Sequence, residues 1–159
     1  MTTINKNYEL SQQQFGGVPF GNQTVLFFNF TTNASGVLVD SDLTTAIQSA
    51  DVVRLGVLPA GFKLVDDTVI ISDAFSASTT ASLGFQYVDG VDVTATPQSA
   101  PYFASAVASD ATSVARKTEK NAPITLPKAA YLILTVGGAA HGSVGIMDIM
   151  ITGVLTGVN

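Results

Sequence analysis

The sequence lacks cysteine and tryptophan and contains a single histidine, His141. Without cysteine there is no disulfide, no zinc-thiolate site and no thiol nucleophile, and the redox compartment stays undetermined. Charged residues make up only 12% of the 159 residues, about half the usual share in a soluble domain. Uncharged serine, threonine, asparagine and glutamine must therefore cover much of the surface.

The charge balance and the apolar runs exclude two classes of partner. The net charge of −5 argues against nucleic acid, since binding to a phosphate backbone needs clustered lysine and arginine. Gly137, Gly138 and Asp148 interrupt the longest apolar runs, so that none reaches the roughly 18 residues that cross a bilayer. The first residues also lack the apolar core of a secretion signal. We therefore expect neither a nucleic-acid nor a membrane partner. We also expect that the protein is synthesised in a cytoplasm.

Two parts of the chain differ in pattern. Residues 1–22 show neither helical nor strand periodicity, and a proline between the glycines of GGVPFG disfavours helix and sheet. We interpret them as an extended N-terminal arm, followed by a single domain at 23–159. The apolar side chains of the arm favour docking onto another surface, and a frayed terminus is the alternative. The candidate partner contacts are Gln12, Gln13, Gln14, Phe15, Val18 and Phe20.

From residue 24 onward the pattern is typical of β-strands. Short β-branched and aromatic runs alternate with glycine and proline turns, and no amphipathic helix of roughly 10 to 15 residues separates them. This predicts an all-β fold, a jelly-roll-like β-sandwich. The predicted strands are TVLFFNF (24–30), GVLV (36–39), VVRLGVL (52–58), FKLVDDTVIIS (62–72), LGFQYV (83–88), VDVTAT (91–96), YLILTV (131–136) and residues 144–155.

The connections are predicted from local residue chemistry. Pro59 and Gly61 indicate a type II turn with the proline at its first central position. Asp89-Gly90 indicates a hairpin between 83–88 and 91–96. Residues 97–127 read as a long excursion with a short helix near 103–107, and DLTTAIQSAD at 42–51 as one or two helical turns.

Two features resemble catalytic groups. Asp66 and Asp67 are adjacent carboxylates, but adjacent side chains of a strand point to opposite faces and cannot converge on one substrate. We interpret them as solvated residues or as part of a β-bulge near Asp66. His141 has no independent nucleophile, because Ser143 is too close in sequence. We interpret it as a loop histidine or a ring buried between subunits, and we expect no catalytic, cofactor-binding or metal site.

Asp40 and Asp42 resemble a fragment of a calcium-binding loop. The glycine expected at the sixth position and the glutamate expected at the twelfth are replaced by Thr45 and Asp51. Whether this pair binds a cation stays open at this point.

The last predicted strand is apolar on both faces. Met147, Ile149 and Ile151 share one face, while Ile146 and Met150 share the other with Asp148. Such a strand belongs inside a sandwich or at an interface. Together with the low charge, it favours a subunit of a larger assembly over a monomeric enzyme.

A family resemblance points the same way. RLGVLPAGFKLVDDTVIISDAFSASTTASLGFQY and LPKAAYLILTVGGAAHGSVGIMDIMITGVL resemble small virion structural proteins of tailed bacteriophages. There, a strand ending L-P-A-G leads to a second strand, an A-F-x-x-x-T-T segment and a strand L-x-F, and K-x-x-Y-L-x-L-T and G-x-I-D/M-x-x-I strands follow. The similarity covers about residues 52–156, whereas residues 1–50 match no family pattern.

The resemblance implies a head decoration (cement) protein without enzymatic activity or cofactor. Its partners would be the major capsid protein and its own copies, with a trimer preferred, and its place the outer head surface of the virion. A tail, baseplate or head-fibre protein is the alternative within this class. A carbohydrate-binding sandwich is the alternative from another class, although the absence of tryptophan counts against it.

Overall fold

The computed structural model describes residues 1–6 and 23–156, and every regular element in these residues is a β-strand. None of them forms a helix long and apolar enough to cross a membrane. The strands are β1 (Thr3–Asn5), β2 (Gln23–Thr32), β3 (Val52–Leu58), β4 (Phe62–Asp73), β5 (Thr79–Tyr87), β6 (Ser99–Ala108), β7 (Ser113–Arg116), β8 (Ile124–Thr125), β9 (Ala130–Gly138) and β10 (Gly145–Leu155).

The strands form two sheets, which confirms the predicted all-β sandwich. Sheet one has the order β1-β3-β9-β5-β6, and sheet two has the order β2-β10-β4-β7 with β8 also paired to β4. All pairs are antiparallel except β1 with β3. From β1 to β5 the chain changes sheet at every connection. Such repeated crossing is typical of a jelly-roll-like sandwich.

One face of each sheet is buried against the other. Leu26, Phe28 and Phe30 of β2 alternate with exposed or half-buried neighbours, as a strand with one solvated face requires. Each fully buried side chain of this size contributes about 1.5 to 3 kcal/mol of transfer free energy. Sheet one supplies the facing side of the same core, including Val53, Leu55, Leu58, Leu83, Phe85, Leu132 and Leu134.

The L-P-A-G segment forms the corner between the two sheets. It leads from β3 in sheet one to β4 in sheet two. The amide of Phe62 donates to the carbonyl of Pro59 at 3.3 Å, and Gly61 has a φ of 76°. Glycine therefore occupies the second central position, which requires positive φ in a type II turn. The turn is confirmed, but Pro59 precedes its central residues, so the predicted position of the proline is wrong.

The predicted bulge in β4 is also confirmed. Thr152 of β10 pairs with Asp66, and the next residue of β10 pairs with Leu64, which leaves Val65 as the extra residue. A bulge of this kind shifts the strand's alternation by one position. As a result Leu64 and Asp67 both point into the sandwich.

Neither predicted helix forms. Residues 103–107 lie in β6, where pairing with β5 overrides the weak strand preference of small residues. Because β6 is the edge of sheet one, Pro101 is tolerated within it. In residues 42–51 the amides of Asp42 and Ile47 donate to the carbonyls of Asn5 and Gly36. The Ile47 amide is therefore bonded to a distant carbonyl and not to the one four residues before it, as a helix would require.

The predictions of two strands and of the long excursion are also wrong. Residues 91–96 form a loop, in which the Asp92 carboxylate accepts hydrogen bonds from the amides of Val93 and Gln98. GVLV at 36–39 is reduced to one isolated bridge between Leu38 and Thr32. Residues 97–127, expected as an irregular excursion, contain β6, β7 and β8.

The arm prediction is only partly within the described residues. Thr3–Asn5 pair with β3 and so belong to sheet one. The remaining arm residues, with all six candidate contacts, lie outside the described residues, and the arm stays a prediction there.

Gly84 of β5 lies where β5 and β6 approach each other closely, and its replacement tests this packing. A Cβ at this position would overlap the backbone of Ser99 and Ala100. We expect Gly84→Ala to lower the free energy of unfolding by about 1 to 3 kcal/mol, as overpacking does. Urea denaturation measures the change, with Gly142→Ala as the control because the atom nearest to its Cβ is 3.8 Å away. Equal midpoints for the two variants would contradict this packing.

Candidate interaction surface

The outer face of sheet two carries exposed apolar side chains. Phe27 of β2 is 65% exposed and Val114 of β7 is 70% exposed. Ile70 of β4 and Met150 of β10 are half-buried on the same face. We call these four residues the outer patch.

The strand register brings the outer patch together. Met150 lies opposite Phe27 on one side, and Ile70 lies opposite Val114 on the other. Asp148 pairs with Ile70 one row away, so the two pairs occupy neighbouring rows of the sheet. Diagonal neighbours on one face are about 7 to 8 Å apart, within reach of long side chains. Phe27, Ile70 and Met150 also line a shallow depression.

Polar groups around the outer patch are paired with one another. Asn29 donates to Asp148 at 2.9 Å and accepts from Thr31 at 2.6 Å. Arg116 of β7 forms an ion pair with Asp66 of β4. Because each of these groups already has a partner within the chain, an apolar partner that covers the surface leaves each of them with at least one hydrogen bond.

The two adjacent carboxylates diverge, as predicted. Asp66 is on the outer face, where its hydrogen bond with Arg116 lowers its pKa. Asp67 is buried, and burial together with the charge of Asp66 raises its pKa to about 6. Of the two interpretations of Asp67, the bulge is confirmed and the solvated residue is not, because the bulge turns its side chain inward.

Asp40 and Asp42 have separate structural uses. Both carboxylate oxygens of Asp42 accept hydrogen bonds from Asn5, at 3.0 Å each, and the bond from the Asn5 amide lowers the pKa of Asp42. Asp40 takes a positive φ of 56°. In residues 1–6 and 23–156 no group of three metal-binding side chains is present. Asp42 therefore fastens β1 to the loop after β2.

His141 is a loop residue, but its ring is buried within its own chain and not exposed. It packs edge-on against Phe30 at 5.7 Å and Phe75 at 4.9 Å between ring centroids. Burial lowers its pKa to about 4, so the ring is neutral at pH 7. Ser143 shares a hydrogen bond with Ser76 at 3.2 Å. The pair is thus used for packing and loop structure.

The fold is shared with chains from three phage capsid structures. The sequence itself matches no protein-family model and no curated protein. A chain in the capsid of Ralstonia phage GP4 superimposes with a TM-score of 0.68 and 14% identity, over 99% of this chain and 100% of that one. A chain in the capsid asymmetric unit of cyanophage Pam1 gives 0.57 and 20% identity, over 92% of both.

The third structure is the acidic stable capsid of Helicobacter pylori bacteriophage KHP30, with a TM-score of 0.50 and 14% identity, over 87% of this chain and 95% of that one. At identities this low, the structural similarity shows a common fold only. Because each alignment covers most of both chains, the matched chains are similar in length to this one.

Sequence reasoning missed the outer patch as a unit. TVLFFNF gave one signal, since Val25 and Phe27 are as apolar as Leu26 and Phe28 on the opposite face. Val114 gave none, because SVAR is too short and too polar to predict a strand.

Burial of His141 predicts an acid-sensitive contribution to stability. As the pH falls from about 6.5 toward 4, the unfolded state binds a proton that the buried ring does not. The folded state therefore loses stability over this window. At pH 7 the wild type should have a larger free energy of unfolding than His141→Gln. As the pH falls to 4, this difference should shrink by an amount on the order of 3 kcal/mol.

Urea denaturation at pH 7, 5.5 and 4 measures this excess, with Ser143→Ala as a loop control that leaves the pH response unchanged. An excess that is constant with pH would contradict the burial of a neutral ring.

Proposed function

We propose that the protein is a structural, non-enzymatic component of a bacteriophage particle, specifically a head decoration (cement) protein. It binds the outside of the shell and stabilises contacts between major capsid subunits. The observation that carries the proposal is the similarity of the whole chain to a chain of a phage capsid, over 99% and 100% of the two lengths. The residue patterns of 52–156 support the same class independently.

The outer patch supplies the physical basis for binding. A protein that binds only the assembled shell adds its binding free energy to the closed state by mass action, without any catalysis. Apolar side chains at the centre of a contact, surrounded by polar groups that are already paired, match the usual composition of such interfaces. The partners are the major capsid protein and further copies of this chain, with a trimer preferred, on the outer head surface of the virion.

The arm is the second proposed contact. Phe15, Val18 and Phe20 are apolar side chains in a segment that joins β1 to β2. In this proposal, Gln12–Gly21 reaches a neighbouring subunit, so that one copy covers a joint between capsid proteins.

Replacing the outer patch should weaken binding to the shell. We expect Phe27→Ser combined with Val114→Ser to reduce affinity at least tenfold, since central aromatic contacts contribute about 2 kcal/mol or more. The fold should remain intact because both side chains are exposed in the free protein. Co-sedimentation with particles that lack the protein measures the affinity.

Val91→Ser is the matched control, since Val91 is 62% exposed but lies in the loop between β5 and β6. Equal binding by the patch variant and this control would remove the outer patch from the proposed contact.

The arm requires a separate variant that keeps β1 paired. We expect Phe15→Ser, Val18→Ser and Phe20→Ser together to lower the occupancy of the protein on particles, because they remove the apolar side chains of the arm. The thermal midpoint of the free protein should stay unchanged. Quantitative electrophoresis of purified particles gives the occupancy, and full occupancy would show that the arm does not bind.

A further inference from the structure

Residues 117–123 connect β7 to β8 along one side of the sandwich. β7 pairs with residues 68–71 of β4, and β8 pairs with residues 63–64 of the same strand. Within the described residues, the β4 edge at 65–67 therefore has no strand beside it. The connecting segment passes over this gap.

The segment is fastened to both sheets by a small number of hydrogen bonds. On sheet two, the amide of Lys117 donates to the carbonyl of Asp67 at 3.2 Å. On sheet one, the amide of Glu119 donates to Phe103 at 3.4 Å, and the side-chain amide of Asn121 donates to the carbonyl of Tyr102 at 2.7 Å. The Tyr102 hydroxyl donates back to the carbonyl of Ala122 at 2.7 Å. Residues 117–123 thus bridge the sheets while most of the segment is exposed.

The carboxylate of Asp67 lies beneath this bridge. The residue is 3% exposed, and its Oδ2 has no hydrogen-bond partner among the described residues. It borders a cavity of about 10 Å³, lined also by Tyr102, Phe103, Lys117 and Asn121. That volume is about the minimum that holds one water molecule. An ionised carboxylate in this position lacks the hydration that it would have in solvent.

The groups around Asp67 compensate for only part of this loss, since burial and the charge of Asp66 raise the pKa of Asp67 by more than the charge and the backbone amide of Lys117 lower it. Asp66 on the same strand has the same charge, and its partner Arg116 is on the outer face. From the bridge come Glu119 and Lys117, whose ammonium donates to the carbonyl of Val65 at 3.2 Å. From β6 comes the neutral Tyr102, and β10 places Ile151 opposite Asp67.

We propose that Asp67 and residues 117–123 form a pH-dependent bridge between the two sheets, held more firmly when Asp67 is protonated. The neutral carboxyl is compatible with so small a cavity. The ionised carboxylate favours more water than a cavity of about 10 Å³ holds, and its hydration requires the segment to move away from β6 and β4.

The direction and size of the effect follow from linkage. In the closed bridge the pKa of Asp67 is about 6, and in an open, solvated form it returns to about 3.9. Between these values the open form loses its proton before the closed form does, so opening becomes more favourable as the pH rises. The opening equilibrium constant should increase about tenfold from pH 5 to pH 8.

Amide hydrogen exchange of the full-length protein tests the bridge. Protection factors, which correct for the intrinsic pH dependence of exchange, should fall about tenfold from pH 5 to pH 8 at the Lys117 and Glu119 amides. Amides in the centre of β9 serve as an internal reference and should not show this fall, because the buried His141 makes the whole fold more stable at pH 8 than at pH 5. Asp67→Asn should abolish the pH response at the bridge, because the amide cannot ionise.

Asp66→Asn is the matched carboxylate control. The pH response should persist in this variant but move to lower pH, because the charge of Asp66 contributes to the raised pKa of Asp67. A wild-type bridge whose protection does not change with pH, or an equal response in Asp67→Asn, would overturn the proposal. If Asp67→Asn fails to fold, a carbon-13 NMR titration of Asp67 in the wild type decides, and a midpoint near 4 overturns it.

Discussion

The structure depends on the burial of one face of each sheet against the other. A strand places alternate side chains on opposite faces, so Phe28 and Ile149 in the core fix Phe27 and Met150 on the outside. The same constraint acts at the β4 bulge, where one extra residue turns Asp67 inward. The apolar core, the outer patch and the buried carboxylate therefore have one origin.

The outer face of sheet two is more apolar than the solvated face of a sheet usually is. Solvated faces of antiparallel sheets are usually polar, yet here Phe27 and Val114 remain exposed in a protein with few charges. In the proposed function an assembly gives these side chains a partner, and the fold shared with phage capsid chains supports a phage particle as that assembly. Sheet one differs in its contacts within the chain, since residues 117–123 join its edge strand β6 to sheet two.

The sequence allowed the long strands to be predicted because their apolar patterns are continuous. β3 was located to the residue, and the broken alternation of FKLVDDTVIIS revealed the bulge. β6 and β7 were not predicted, because small and polar residues become strands only through pairing with a neighbour. Within the candidate site, Phe27 had a visible signal. Val114 and the burial of Asp67 did not. Val114 lies in a short strand that forms only by pairing with β4, and the burial of Asp67 depends on the exact place of the bulge at Val65.

Electron cryomicroscopy of the phage particle, at a resolution that shows side chains, tests the central claim most directly. The account predicts density for this sandwich on the outside of the head, with the Phe27 and Val114 face of sheet two buried against a neighbouring subunit. Density for the protein in the tail, or on the head with this face toward solvent, would contradict the account.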